Sequence, residues 1–365
     1  MKRLAECVFA GVALFAAAAQ GGSVDSVVRL LDARVAGSAR SHAEAAAEVA
    51  ADAARGKCLQ QYVVMLFARD ENAPAAFRLD AQTLADYRAA SASRIRALAE
   101  RTNNPLAWYL VALDAGDTNL LKRASDGGNV QAMNAWGTLC VERASSRGVS
   151  ANAAERLLAE GTACFKRAAE LGDANGNYNL GACLSRGAAS ADADGQAFAC
   201  FRKAAEKGHT EAINSIGSFF REGRSVPRDL AAAAKWFKKS ADCGNAYGAF
   251  NYALALRRGE GVEKDPKAAA EWFRRAADGG CEEAEVAYAV ALFKGDGVDA
   301  NAAEAFRRFR IAAEKGNAAA MDNLAACYAR GQGAAADERL SLEWKMRARA
   351  ARGDRAAQTW LDRLK

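Results

Sequence analysis

Nine cysteines and two histidines are the side chains here best suited to metal, redox or nucleophilic chemistry. Cys7 falls in an apolar N-terminal run. The other eight are Cys58, Cys140, Cys164, Cys183, Cys200, Cys243, Cys281 and Cys327. No two form a C-x-x-C pair, the spacing of a thioredoxin-like site or a zinc knuckle. His42 and His209 stand alone, without an H-E-x-x-H phrase, and neither a G-x-S-x-G nor a Walker A phrase occurs. Serine acyl enzymes of the penicillin-binding kind need S-x-x-K, and no serine here has a lysine three positions on. No catalytic residue, metal ligand or cofactor is therefore expected, and the chain reads as a non-enzyme.

The remaining chemistry is recognition. Basic pairs recur at Lys166-Arg167, Arg202-Lys203, Lys238-Lys239 and Arg274-Arg275. Glu170, Glu206, Asp242 and Asp278 follow them within four residues, as expected of a solvated helix face carrying i,i+4 ion pairs. The net charge of +6 is a small difference between 50 basic and 44 acidic residues and gives no reason to invoke nucleic acid. Trp236 and Trp272 share a column with Cys164 and Cys200 and are expected to pack rather than to stack on a ligand.

Those columns exist because the sequence repeats. AAELG, AAEKG, SADCG, AADGG and AAEKG end at Gly172, Gly208, Gly244, Gly280 and Gly316, each step being 36 residues. RAARG ends at Gly353 after 37, and ASDGG ends at Gly128, which leaves the following unit eight residues longer. Small residues recur at Ala132, Gly176, Ala212, Gly248, Ala284 and Ala320. Large ones recur at Leu180, Ile216, Tyr252, Tyr288 and Leu324, and an aromatic column runs through Phe165, Phe201, Phe237, Phe273 and Phe309.

Each unit predicts two helices. In the clearest copy helix A spans about 174 to 186, with its small, large and glycine columns on one face. Helix B opens with Asp265-Pro266 or with Asn301-x-x-Glu304, a capping box, and ends at the closing glycine. One hairpin cannot bury its own apolar face, so neighbours must stack. The expected organisation is a partial unit at 104–128, units closing at the six later glycines, and a capping helix at 354–365. Residues 20–103 are helical in pattern but do not fit the register.

The first 19 residues differ. Lys2 and Arg3 precede a 13-residue uncharged run from Cys7 to Ala19, ending in small residues suited to a cleavage site. That is the pattern of a secretory signal peptide. The run is too short to span a bilayer, which takes about 20 residues, and no cysteine follows it for a lipid anchor. Export to a periplasm or beyond is expected, with no membrane span after cleavage.

The A-x-x-x-L-G helix, the G-x-G-V turn and the K-A-x-x-W-F-x-K-A-A-E-x-G helix resemble the Sel-one-like repeat (SLR) family, relatives of the tetratricopeptide repeats. The nearest copies are RGEGVEKDPKAAAEWFRRAADGG, ending at Gly280, and KWFKKSADCG, ending at Gly244. The resemblance covers about 104–365 and implies an all-α fold, a right-handed α-solenoid of stacked antiparallel helix-turn-helix repeats. It also implies an adaptor or scaffold. Secreted cysteine-rich members carry disulfides within repeats, and one group has been described as weak penicillin binders or β-lactamases, a role the missing S-x-x-K argues against.

In this register Cys140 with Cys164, and Cys183 with Cys200, are candidate staples joining helices A and B of one repeat. In tetratricopeptide-like stacks the other face of helix A lines a concave groove. Here that face carries Tyr247, Phe250, Leu254 and Arg257, then Val286, Val290 and Phe293, while the preceding units supply Tyr178, Asn214 and Arg221. An apolar cluster rimmed by arginine suits a peptide or helix of another protein. The expected function is an exported scaffold for protein–protein contacts; the alternative is an envelope protein that binds peptidoglycan or another polymer.

Overall fold

The computed structural model describes residues 81–187 and 191–364. The leader at 1–19, His42, Cys58 and most of the 20–103 region lie outside the described residues. The chain divides between His209 and Thr210 into two compact units. Among the described residues there are sixteen helices and no strand, and no helix is long and apolar enough to cross a membrane.

The first unit contains α1 (Ala81–Thr102), α2 (Pro105–Ala115), α3 (Thr118–Asp126), α4 (Val130–Ala144), α5 (Ala151–Glu170), α6 (Ala174–Gly187) and α7 (Ala191–Glu206). The second contains α8 (Thr210–Glu222), α9 (Leu230–Asp242), α10 (Ala246–Arg258), α11 (Pro266–Asp278), α12 (Glu282–Lys294), α13 (Ala302–Glu314), α14 (Ala318–Arg330), α15 (Glu338–Ala351) and α16 (Arg355–Asp362). Within each unit every helix packs on the next in sequence order, which is the stacking the repeat demands. The even-numbered helices from α4 on are helices A, and the odd-numbered ones from α5 on are helices B.

Local chemistry starts and stops these helices. The Asp265 carboxylate accepts the Ala268 N–H at 2.9 Å, with Pro266 in the first turn of α11. Asn301 Oδ1 accepts the Glu304 N–H at 2.9 Å, but only this half of the expected capping box forms. The Asn301 N–H is already donated to the Leu292 carbonyl at 2.8 Å, and Glu304 turns to Arg308 Nε at 2.8 Å and to Arg307. The closing glycine of α11, Gly280, takes φ +88°, in the left-handed region where a side chain is strained.

In each unit the phenylalanine column lines the core. Phe165, Phe201, Phe237, Phe273 and Phe309 are all buried. Space for each ring comes from a small residue on the partner helix A: a Cβ added to Gly217 would lie 2.6 Å from the Phe237 ring. The large-residue column is less uniform, with Ile216 and Leu324 buried but Tyr252 and Tyr288 only half-buried. Half-burial suits tyrosine, whose apolar ring packs while its hydroxyl stays wet. The eight extra residues of the unit closing at Gly172 are absorbed by longer helices: α4 has 15 residues and α5 has 20, against 13 in α10 and α11.

Candidate functional site

The helix A face of the second unit rests on the helix B spine. Phe250 of α10 tilts against Phe273 of α11 at 5.8 Å between ring centroids, and the Arg257 guanidinium lies over the same ring at 5.2 Å. Leu254 is half-buried between them in sequence, in the cluster formed by Phe250, Phe273 and Tyr288. One repeat on, Phe293 of α12 meets Phe309 of α13 edge-on at 6.3 Å, with Val290 half-buried nearby. Tyr247 is the most exposed of the group, at 53%. The structure thus gathers Phe250, Leu254 and Arg257 on one ring, and sets Val290 and Phe293 on the next repeat. Val286 differs: at 9% exposure it belongs to the core beneath α12 and presents almost nothing to a partner.

Polar residues edge this apolar cluster on the α8 side. Asn251 Nδ2 donates to Asn214 Oδ1 at 2.9 Å, and Arg221 donates to Asn251 Oδ1 at 3.2 Å. Arg221 also stacks over Phe237 at 5.4 Å and pairs with Glu222. Asn251 was not singled out by the register, because it lies one residue beyond the column that holds Asn214 and Phe250. The first unit has a polar counterpart at Gln131 and Asn134, 5% and 2% exposed. Asn134 Nδ2 donates to Asp173 at 2.8 Å, while Asn134 Oδ1 and Gln131 Oε1 have no partner among the described residues. The eight-residue shift in register hid both: counted back across it, they occupy the columns of Asn175 and Tyr178.

Three of the four basic pairs meet the acid their spacing predicts, Arg202 reaching Glu206 at 3.8 Å, while Arg167 turns instead to the Ser125 and Asp126 carbonyls at 3.4 Å. Lys238 meets Asp242 at 2.8 Å, Arg274 meets Glu271 at 2.8 Å and Asp278 at 3.0 Å, and Arg275 also reaches Glu271. The Arg274 hydrogen bond is the first cause holding the Glu271 carboxyl down at about 2. Trp272 packs edge-on against Tyr252 at 5.6 Å, and His209 stacks on Tyr178 at 4.4 Å. Among the described residues no group of three His, Cys, Asp or Glu side chains is placed to hold a metal ion.

Each expected cysteine pair does lie on the two helices of one hairpin, α4 with α5 and α6 with α7, yet all four are free thiols. Cys140 packs its Cβ towards Gly161, where α4 and α5 cross, whereas Cys164 Sγ lies 3.7 Å from Ser125 Oγ on α3. The Cys183 thiol is within hydrogen-bonding reach of Thr162 on α5. Burial pushes the Cys140 and Cys281 thiols up to about 11, so at pH 8 about one molecule in a thousand carries the reactive thiolate at either site. Iodoacetamide at pH 8 should therefore modify exposed Cys243 first and Cys140 and Cys281 last, read by peptide mass spectrometry. Equal rates at Cys140 and Cys243 would contradict the burial argument.

The Sel1 repeat family model matches residues 130–173, 174–209, 210–245, 246–281, 282–317 and 318–344. No curated protein matches the chain. Among solved structures, one similar chain is a protective antigen present in uropathogenic Escherichia coli strains and displaying an SLR fold. It is 25% identical, with a TM-score of 0.58 over 75% of this chain and 59% of the antigen. A Sel1 repeat protein from Oxalobacter formigenes is 26% identical, with a TM-score of 0.57 over 67% of this chain and 96% of its own. The chain therefore spans about three-fifths of the antigen's length and nearly all of the shorter protein.

Proposed function

The chain belongs to the Sel1 repeat family, and on that premise we propose that it is an exported scaffold that binds a protein partner along the helix A face of its second unit. Sel1 repeat proteins generally mediate protein–protein interactions. The observation that carries the placement is the cluster of Phe250, Leu254, Val290 and Phe293, four apolar side chains left half-buried on successive helices A, whereas the phenylalanine column of the helices B is fully buried. Half-buried apolar area on a rigid support is what a partner can finish burying, at about 25 cal/mol per Å². Export rests on the basic start, the uncharged run and the small residues of 1–19. Outside the cell, oxidation of Cys140 with Cys164 and of Cys183 with Cys200 would require their sulfurs to turn from their present neighbours.

Cross-linking followed by affinity capture of the full chain from the envelope fraction tests both parts. The expected result is a mature chain beginning at Gln20 that captures discrete protein partners. Phe250→Glu together with Phe293→Glu should lower that capture by about tenfold or more, since each places a charge where an apolar contact was made. A thermal melt of the variant shows that the stack persists. Unchanged partners would remove the face from consideration, and sedimentation with purified cell wall without protein partners would favour the polymer reading instead.

A further inference from the structure

Half-buried arginines of the second unit come with an acid, with one exception. Arg221 pairs with Glu222, Arg224 approaches the same carboxylate at 4.0 Å, Arg274 pairs with Glu271, Arg308 with Glu285 and Glu304, and Arg347 with Glu343. Arg257 is as buried as these but has neither a carboxylate nor a hydrogen-bond acceptor among the described residues. The acid nearest to it in sequence, Glu260, is taken by Arg258 at 3.5 Å. Its guanidinium carbon lies 5.2 Å from the centre of the Phe273 ring, and none of its N–H groups finds an acceptor among the described residues. A cation held among Phe250, Leu254 and Phe273 has given up part of its hydration, and an anion brought against it gains more than it would in open water.

We propose that Arg257 is a carboxylate-binding residue and that the occupant of this face is an acidic, apolar peptide segment. The proposal rests on the protein-binding reading above and names the chemistry of the partner. Geometry limits the segment further. The column that holds Arg221 and Arg257 continues as Phe293, so the cationic part of the face lies on α10 and the apolar part continues onto α12. The two helices A each pack on α11, which lies between them in sequence, and an extended peptide rises about 3.3 Å per residue. An occupant that reaches both helices therefore carries an Asp or Glu for Arg257 and, several positions along, an aromatic or aliphatic residue for Val290 and Phe293. A bidentate guanidinium–carboxylate contact gives direction as well as affinity.

A displayed library of random twelve-residue peptides, selected on the immobilised full chain, tests this whatever the natural partner is. The enriched sequences should share an acidic residue and, at a fixed spacing from it, a large apolar one. A synthetic peptide of the enriched sequence should lose about tenfold in affinity against Arg257→Gln. Changing its acidic residue to the amide should cost as much, and the two changes together little more than either alone. Arg257→Lys, which keeps the charge and loses the fork, should fall between. The proposal is overturned by enriched peptides without a shared acid, or by equal binding to the native chain and Arg257→Gln. If binding then still depends on Phe293, the protein-binding face stands and only its carboxylate specificity falls. If no peptide is enriched, or if neither residue matters, both fall.

Discussion

Gly297→Ala should destabilise the second unit by on the order of 2–4 kcal/mol, far beyond an ordinary surface substitution. Gly297 lies in the turn after α12 with φ +74°, and an added Cβ would sit 2.0 Å from the Pro266 carbonyl oxygen at the start of α11. The same contact recurs at Gly261 against Leu230 and at Gly333 against Ala302. The second glycine of the G-x-G-V phrase thus lets the turn of one repeat nest on the backbone that opens helix B of the repeat before. Backbone cannot swing aside as a flexible side chain would. Gly280→Ala is the matched control: φ is +88°, but nothing lies within 4 Å of the added atom, so only the left-handed strain of about 1–2 kcal/mol remains. Urea denaturation of the two variants separates strain from close approach. Equal losses would show that the turn can retreat from α11 and that the nesting contributes nothing.

That contact also illustrates what sequence makes visible and what it hides. The 36-residue period, the alternation of helices A and B and the phenylalanine column were all legible, because a packing rule repeated six times leaves a column each time. The half-formed box at Asn301 was not, because its missing half depends on a carbonyl of Leu292 in the previous helix and on the choice Glu304 makes for Arg308 one turn along its own helix. Val286 shares its face with Val290 and Phe293, yet the core under α12 closes over it alone. Periodicity assigns a face; neighbouring side chains decide which members of it stay accessible. The acid missing from Arg257 was hidden for a similar reason. Glu260 stands three residues away in sequence, and only the observed pairing shows that Arg258 has it.

Phe273→Ala is expected to cost about 3–5 kcal/mol and to weaken partner binding even where the chain stays folded. The ring is 1% exposed and fills the space between α10 and α11 with Ala253, Leu256 and Ala269, so truncation leaves a cavity between two helices held apart by the rest of the stack. It is also the surface against which Phe250 and Arg257 are held, so its loss frees both. In a stack each repeat contacts only its neighbours, so stability is close to a sum of repeat and interface terms. Weakening one internal term by this much should split unfolding into two phases rather than shift a single transition. Circular dichroism across a urea gradient reads the split, and Phe273→Leu, which keeps most of the volume, should restore one transition with a loss near 1 kcal/mol. A single cooperative transition in Phe273→Ala, moved by less than about 1 kcal/mol, would mean that the spine is not what holds successive repeats together. The basis for placing a binding face on it would then be lost as well.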